Sequence, residues 1–190
     1  SDNGPETTWR QRIELYGHHS NGIYREGKRS IYEGGHRVPF LIRWPAKVKA
    51  ATQWNEPVCQ TDLLATFAQM LGKKLPENAG EDSDSFYGVL TGTKETIPRV
   101  SMVHHSSQGR YAIREGKWKL VMEDARKNKR ELYDLSSDPR ETKNLVAKHP
   151  DIERQLAAKL TALVNNGRST LGEPQKNDTP LWRDLVWIKQ

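Results

Sequence analysis

An aspartate, an asparagine and a lysine within the first 28 residues are the groups of this 190-residue chain best suited to chemistry on an anion. Ser1-Asp2-Asn3-Gly4 sets a carboxylate beside an amide oxygen, hard donors of the kind a calcium ion prefers. Lys28 offers a compact ammonium for an anionic ester. Taken alone, Asp2-Asn3 reads first as a turn or cap pair, and the alternative for Lys28 is a solvated surface lysine. The run Tyr32-Glu33-Gly34-Gly35-His36-Arg37-Val38-Pro39-Phe40 carries two adjacent glycines, which permit positive φ and close backbone approach. A turn there can bring Lys28 under the oxygens of Asp2 and Asn3 while Val38 enters a sheet. Glu33 or Arg37 is expected to anchor that turn by an ion pair, and His36 to support it through a hydrogen bond. The only cysteine, Cys59, reads as a small hydrophobe near a helix start.

Two histidine pairs invite a metal or acid-base role. Neighbouring strand residues point to opposite faces, so His104 and His105 cannot both face one ligand if they lie on a strand. One of them, His105 by choice, could line a substrate pocket, the alternative being a buried, hydrogen-bonded histidine. His18 and His19 precede Lys28 and could help close the same pocket.

Several elements must position these groups. Residues 1 to about 30 show little periodicity and read as a long loop following a strand outside the sequence, with Ser1 as that strand's last residue. In open α/β sheets ligands bind beyond the carboxyl ends of strands, a suitable place for Asp2-Asn3. Val38 to Trp44 is short, apolar and β-prone, and reads as a buried strand closed by Pro45. Thr61 to Leu71 spaces Leu63, Leu64, Phe67, Ala68, Met70 and Leu71 as an amphipathic helix packing on the sheet, with Thr61 or Asp62 as N-cap and Gly72 just past its end. Residues 73 to 98 form a connecting stretch with one apolar patch at 86 to 90.

A boundary near Pro98 divides the chain into 1–97, part of an α/β domain, and 98–190, a small α+β subdomain. In the latter, Val100 to His104, Tyr111 to Arg114, Trp118 to Met122 and Glu131 to Leu135 read as short strands, the middle two a hairpin turning at Glu115-Gly116. Trp118, Leu120 and Met122 mark a buried face against Lys119 and Val121. A helix from about Pro150 to Asn165 repeats apolar positions at Ile152, Leu156, Leu160 and Leu163 and stops at Gly167. The tail, with Leu181, Trp182, Leu185, Trp187 and Ile188, is expected to dock back on the main body.

Only 35% of the residues are hydrophobic and mean hydropathy is −0.84, so part of the apolar surface is expected to need another segment to cover it. The +6 charge suits anions, although acidic patches such as Glu81-Asp82-Ser83-Asp84 interleave with the basic ones. One cysteine permits no internal disulfide, and no run approaches the roughly 18 to 20 apolar residues of a membrane span.

In order and spacing, Ser1-Asp2-Asn3-Gly4, Gly27-Lys28, the Tyr32 to Phe40 run, Thr61-Asp62-Leu63-Leu64, Glu131-Leu132-Tyr133-Asp134-Leu135 and Asp138-Pro139-Arg140-Glu141 resemble a type I, formylglycine-dependent sulfatase over roughly residues 1 to 145. The resemblance implies an α/β fold, the carboxy-terminal part of an alkaline phosphatase-like sulfatase, with a small antiparallel sheet and helix as subdomain. It implies hydrolysis of a sulfate ester such as that of a sulfated carbohydrate, with Asp2 and Asn3 as two ligands of an active-site calcium and Lys28 contacting the sulfate. The Cys/Ser-x-Pro/Ala-x-Arg segment that yields the nucleophile is not found here, and Cys59 does not match it. A missing amino-terminal catalytic segment is therefore expected as partner, and this chain alone is expected to be inactive. The family implies a periplasmic or extracellular location, with no membrane and no nucleic-acid partner. Two alternatives stand beside it: a basic binding module for sulfated polysaccharide or nucleic acid, and a related phosphoester or phosphonate hydrolase.

Overall fold

The computed structural model describes residues 1–123, 129–176 and 185–188. The chain forms two compact units: Ser1–Phe40 with Val103–Thr161 and the tail from Thr179, and Leu41–Met102 with Ala162–Asp178. This differs from a single division at residue 97, because the first 40 residues group with the sheet that follows residue 102.

The first unit is built on a four-stranded sheet, β1 (Ser101–His105), β2 (Tyr111–Glu115), β3 (Trp118–Val121) and β4 (Glu131–Asp134), ordered β1-β2-β3-β4. All four strands fall within a residue or so of their expected positions. The β2–β3 hairpin is antiparallel and pairs Glu115 with Trp118, so that Gly116 and Lys117 make the turn; Gly116 takes φ of 54°, which a Cβ would disfavour. β3 pairs antiparallel with β4, Leu120 opposite Leu132.

The pleat sorts these strands into two faces. Ile113, Leu120 and Leu132, fully buried, share one face with Glu115, which receives Lys159 of helix α5 (Pro150–Asn166) at 2.5 Å. Leu156, Ala157 and Leu160 form the buried stripe of α5, and Gly167 ends it at φ 63°. The opposite face carries Ala112, Val121 and Tyr133, which cluster with Ile31, Tyr32 and Leu135. Lys119 lies on this face, so the expected alternation of a buried and an open side is corrected: Lys119, Leu120, Val121 and Met122 are all at 0% exposure. Segment 31–36 covers the side on which solvent was expected.

The amino-terminal stretch, expected as loop, contains helix α1 (Trp9–Tyr16), closed by Gly17 in the left-handed region. None of its residues is buried; Trp9, Ile13 and Tyr16 recur at i, i+4 and i+7, a short apolar stripe that the loop reading passed over. A single helical turn, α2 (Glu33–His36), follows. In the tail, Leu185 is buried and the Trp187 indole N–H donates to Thr161 Oγ1 at 3.1 Å, while Leu181 and Trp182 lie outside the described residues.

The second unit contains α3 (Asp62–Met70) and a short helix α4 (Tyr87–Leu90). The expected apolar packing face of α3 is also corrected. Leu64 and Phe67 are each half exposed, whereas Asp62 and Thr66 are buried. Asp62 accepts from the Cys59 and Asp84 amides and pairs with Arg99, and Thr66 Oγ1 accepts from the Phe86 amide. The helix therefore buries the stripe that its loop 82–86 can hydrogen-bond. The Val38 to Trp44 run forms no strand. Leu41 is 89% exposed and Phe40 48%, and no described strand lies beside this segment to receive its backbone groups.

Candidate functional site

Close backbone contact gathers the chemistry-bearing loops of the first unit. The Gly4 amide donates to the Gly35 carbonyl and the Lys28 amide to the Pro5 carbonyl, both at 2.9 Å. A Cβ on Gly4 would fall 1.8 Å from the Gly34 carbonyl oxygen, one on Gly34 2.3 Å from that of Glu26, and one on Gly35 2.4 Å from that of Ser30. The paired glycines thus serve close approach; the positive φ values lie instead at Glu26 (63°) and Arg29 (76°).

This packing sets Lys28 against the loop that begins at Asp2. The Lys28 ammonium is 3.2 Å from Glu6 Oε2, and the Arg29 guanidinium is 2.6 Å from Glu6 Oε1. The Thr7 amide, Arg29 and Lys28 together hold the Glu6 carboxyl down at about 2. Asp2 is exposed. The Asn3 amide nitrogen donates to the Gly4 carbonyl at 2.9 Å, which leaves its oxygen as the end it can offer. The Ser1 ammonium donates to the Pro39 carbonyl at 3.1 Å. A carboxylate and an amide oxygen fit a hard cation such as calcium, as two of the roughly 6 to 8 oxygens it gathers.

The turn after β1 reaches the same region. The Ser107 amide donates to the Arg29 carbonyl at 3.2 Å. His105, two residues earlier, is exposed and stacks on Tyr111 with ring centroids 4.3 Å apart. His104 stacks on His36 at 3.9 Å, so the two neighbours do have different surroundings. His18 and His19 are exposed on the loop after α1.

α2 is tied into a buried ionic network through Glu33. The Lys119 ammonium is 2.9 Å from Glu33 Oε1 and 2.8 Å from Glu141 Oε1. Glu141 Oε2 accepts from the Glu33 amide at 2.6 Å, and Arg25 donates to the Glu141 carbonyl at 2.9 Å. Burial disfavours charge on Glu33, yet the His36 hydrogen bond and Lys119 outweigh it and hold that carboxyl far below its usual range. Arg37 at 3.5 Å and Arg114 at 3.7 Å add to the same effect. Burial pushes Glu141 up, with Lys119 opposing, and pushes His36 and His104 down.

Glu33, His36 and His104 each place one ligand atom within 4.8 Å of the others. Lys119 lies 3.4 Å from His36 Nε2 and already supplies a positive charge to this cluster. The cluster supports α2, to which Glu33 and His36 belong, and includes neither Asp2 nor Asn3.

Sequence reasoning missed Glu6, Arg29 and Ser107, which belong to no quoted motif, and Lys119, whose charge pointed outward by alternation. Glu141 was part of a quoted motif without a role.

No helix among the described residues is long and apolar enough to cross a membrane. A family model described as N-sulphoglucosamine sulphohydrolase, C-terminal, matches residues 21–166. The chain is 38% identical over 180 residues to an N-acetylgalactosamine-6-O-sulfatase of Bacteroides thetaiotaomicron, a match that covers 86% of this chain and 35% of that protein. A solved structure concerning the metabolism of multiple glycosaminoglycans by Bacteroides thetaiotaomicron superposes with a TM-score of 0.76 at 35% identity, covering 86% of this chain and 37% of the other. Another, in complex with its substrate D-glucosamine-2-N,6-O-disulfate, gives a TM-score of 0.62 at 25% identity, covering 72% and 30%. The chain thus spans about a third of the length of the relatives it matches. Its mixed architecture, a small antiparallel sheet with helices, follows theirs, and the chain belongs to the sulfatase family, of which it is a carboxy-terminal portion.

Proposed function

We propose that this chain contributes one half of a site that hydrolyses a sulfate ester of a sulfated carbohydrate. Lys28 contacts the sulfate, Asp2 and Asn3 provide two oxygens to a calcium ion, and His105 lines the sugar pocket. The nucleophile and the remaining metal ligands belong to the amino-terminal portion that the relatives possess. The protein works outside the cytoplasm, in the periplasm or beyond. The observation that carries this reading is the contact of the Lys28 main chain with Pro5, which sets its ammonium against the loop starting at Asp2.

The chemistry follows from charge. Cleaving a sulfate ester asks for stabilisation of negative charge on the sulfate and the departing oxygen. Calcium, when bound, supplies a divalent positive charge to the sulfate oxygens. Lys28 supplies an ammonium whose backbone is pinned by Pro5 and whose charge is held beside Glu6. At about 4 Å and an effective dielectric near 20, such a charge is worth roughly 4 kcal/mol to a unit negative charge. The buried Glu33–Lys119–Glu141 network fixes α2, and through Gly35 and Gly4 it fixes the Asp2-Asn3 loop.

The sugar preference rests on the two relatives above, whose described substrates are sulfated hexosamines. The test is sulfate release from N-acetylgalactosamine 6-sulfate by this chain alone and by this chain joined to a sulfatase amino-terminal portion. Release only from the joined protein, abolished by a calcium chelator, is the expected result. Release by the chain alone, or faster cleavage of the corresponding phosphate ester, would overturn the proposal.

A further inference from the structure

Arg29 combines two properties: a positive φ, which it shares with Glu26 nearby, and a carbonyl fastened to the turn after β1. Its φ of 76° places a long side chain in the left-handed region, where glycine carries no penalty and a residue with a Cβ costs about 1 to 2 kcal/mol. The backbone there is also over-determined: the Ser107 amide and hydroxyl both approach the Arg29 carbonyl, at 3.2 and 3.4 Å, and Lys28 before it is fastened to Pro5. An arginine kept in such a conformation points to work for its side chain. That side chain is half exposed, and its guanidinium meets Glu6 Oε1 while Lys28 meets Oε2 of the same carboxylate.

One carboxylate therefore bridges two adjacent cations, of which the sulfatase reading above gives a role to Lys28 alone. We propose that Arg29 is a specificity-determining residue which binds a second anionic group, a sulfate or a carboxylate, on the same sugar or its neighbour. Glu6 is the internal anion that holds the fork in place until such a group arrives. The planar guanidinium matches either anion through two parallel N–H donors, which the Lys28 ammonium cannot do. The exposed position of the pair agrees with an extended ligand entering from solvent. The proposal rests on the sulfatase reading of Lys28 and adds the class of substrate that the site prefers.

The experiment uses the enzyme in which this chain is joined to a sulfatase amino-terminal portion, with three substrates: N-acetylgalactosamine 6-sulfate, its 4,6-disulfate, and the 6-sulfate linked to a uronic acid. The variants are R29A, R29G, which fits the backbone without strain, and R29K. The expected result is that R29A and R29G raise KM for the disulfated sugar, the uronate-linked sugar or both about tenfold more than for the monosulfated sugar, with R29K in between. A selective loss with only one of the two identifies the second anion as sulfate or as carboxylate. Equal changes for all three substrates in R29G, the variant that folds without strain, would overturn the role of Arg29 and leave the sulfatase reading intact. Absence of turnover with every substrate in the unmodified enzyme would remove both.

Discussion

Lys119 lies with its ammonium 2.9 Å from Glu33, both side chains sealed from solvent, and the second contact of that ammonium is the equally buried Glu141. One cation thus serves two carboxylates that the fold has taken out of water. Removing it strands them.

Lys119→Met is accordingly expected to destabilise the first unit by about 3–5 kcal/mol, the usual result of breaking a buried ion pair on one side. Urea unfolding measures it. Adding Glu33→Gln to Lys119→Met should recover part of the loss, because the neutral amide no longer needs the cation. A loss below about 1 kcal/mol in the single variant would show that water reaches these groups.

Gly34→Ala tests the backbone packing that sets Lys28 beside the Asp2 loop. The new Cβ would lie 2.3 and 2.4 Å from the Glu26 and Arg25 carbonyl oxygens, neither of which is the end of a flexible side chain. The expected cost is about 1–3 kcal/mol or more, read as a lower melting temperature, with weaker activity even where the protein remains folded. Gly72→Ala serves as a contrast, since its Cβ would meet nothing within 4 Å and only its φ of 63° opposes it.

Acidification should loosen the first unit as its buried histidines are driven to take up protons. His36 and His104 are held below their ordinary value of 6.5, first by burial and then by the charges facing them, chiefly Lys119 and Arg114, with Glu33 opposing. The unfolded chain then binds protons that the folded one refuses, so stability falls as pH drops through the unfolded value of 6.5 toward the lower folded values. Glu33, held low, adds the same sign below 4.5. Glu141, held high, contributes the opposite sign: its share is present at low pH and is lost as pH rises through its folded value. The melting temperature of His104→Phe, which keeps a ring over His36, should depend less on pH across this window than that of the unmodified protein. An unchanged slope would contradict the assignment.

Asp62→Ala addresses the second unit. Its carboxylate is fully buried and receives two backbone amides together with Arg99, itself almost buried. Loss of about 3–5 kcal/mol in local stability is expected, visible as faster amide exchange at Cys59 and Asp84.

The strands and α5 were legible because each is a short segment whose alternation or 3.6-residue spacing is answered inside this chain. What could not be read depended on partners far along the sequence. Lys119 looks like a surface position by period alone, and only Glu33, 86 residues earlier, and Glu141 make its burial affordable. The helix α3 displays an apolar stripe, yet its buried face is the one bonded to residues 82–86. Val38 to Trp44 has the composition of a strand, but a strand exists only with a neighbour to share its hydrogen bonds. The family strings drew attention to Lys28 and to the glycines, whose close packing the backbone bears out, whereas Glu6 and Arg29 had no string to mark them and emerged through geometry.

The central claim is that Lys28 and the Asp2-Asn3 pair act on one sulfate. Sulfate release from a 6-sulfated hexosamine by the enzyme joined to an amino-terminal portion, measured for Lys28→Ala and Asp2→Ala with and without added calcium, tests it directly. The account predicts that Lys28→Ala lowers kcat/KM by about 10²–10³-fold at every calcium concentration, and that Asp2→Ala shifts the calcium requirement upward. Wild-type turnover in Lys28→Ala, or an unaltered calcium requirement in Asp2→Ala, would contradict it.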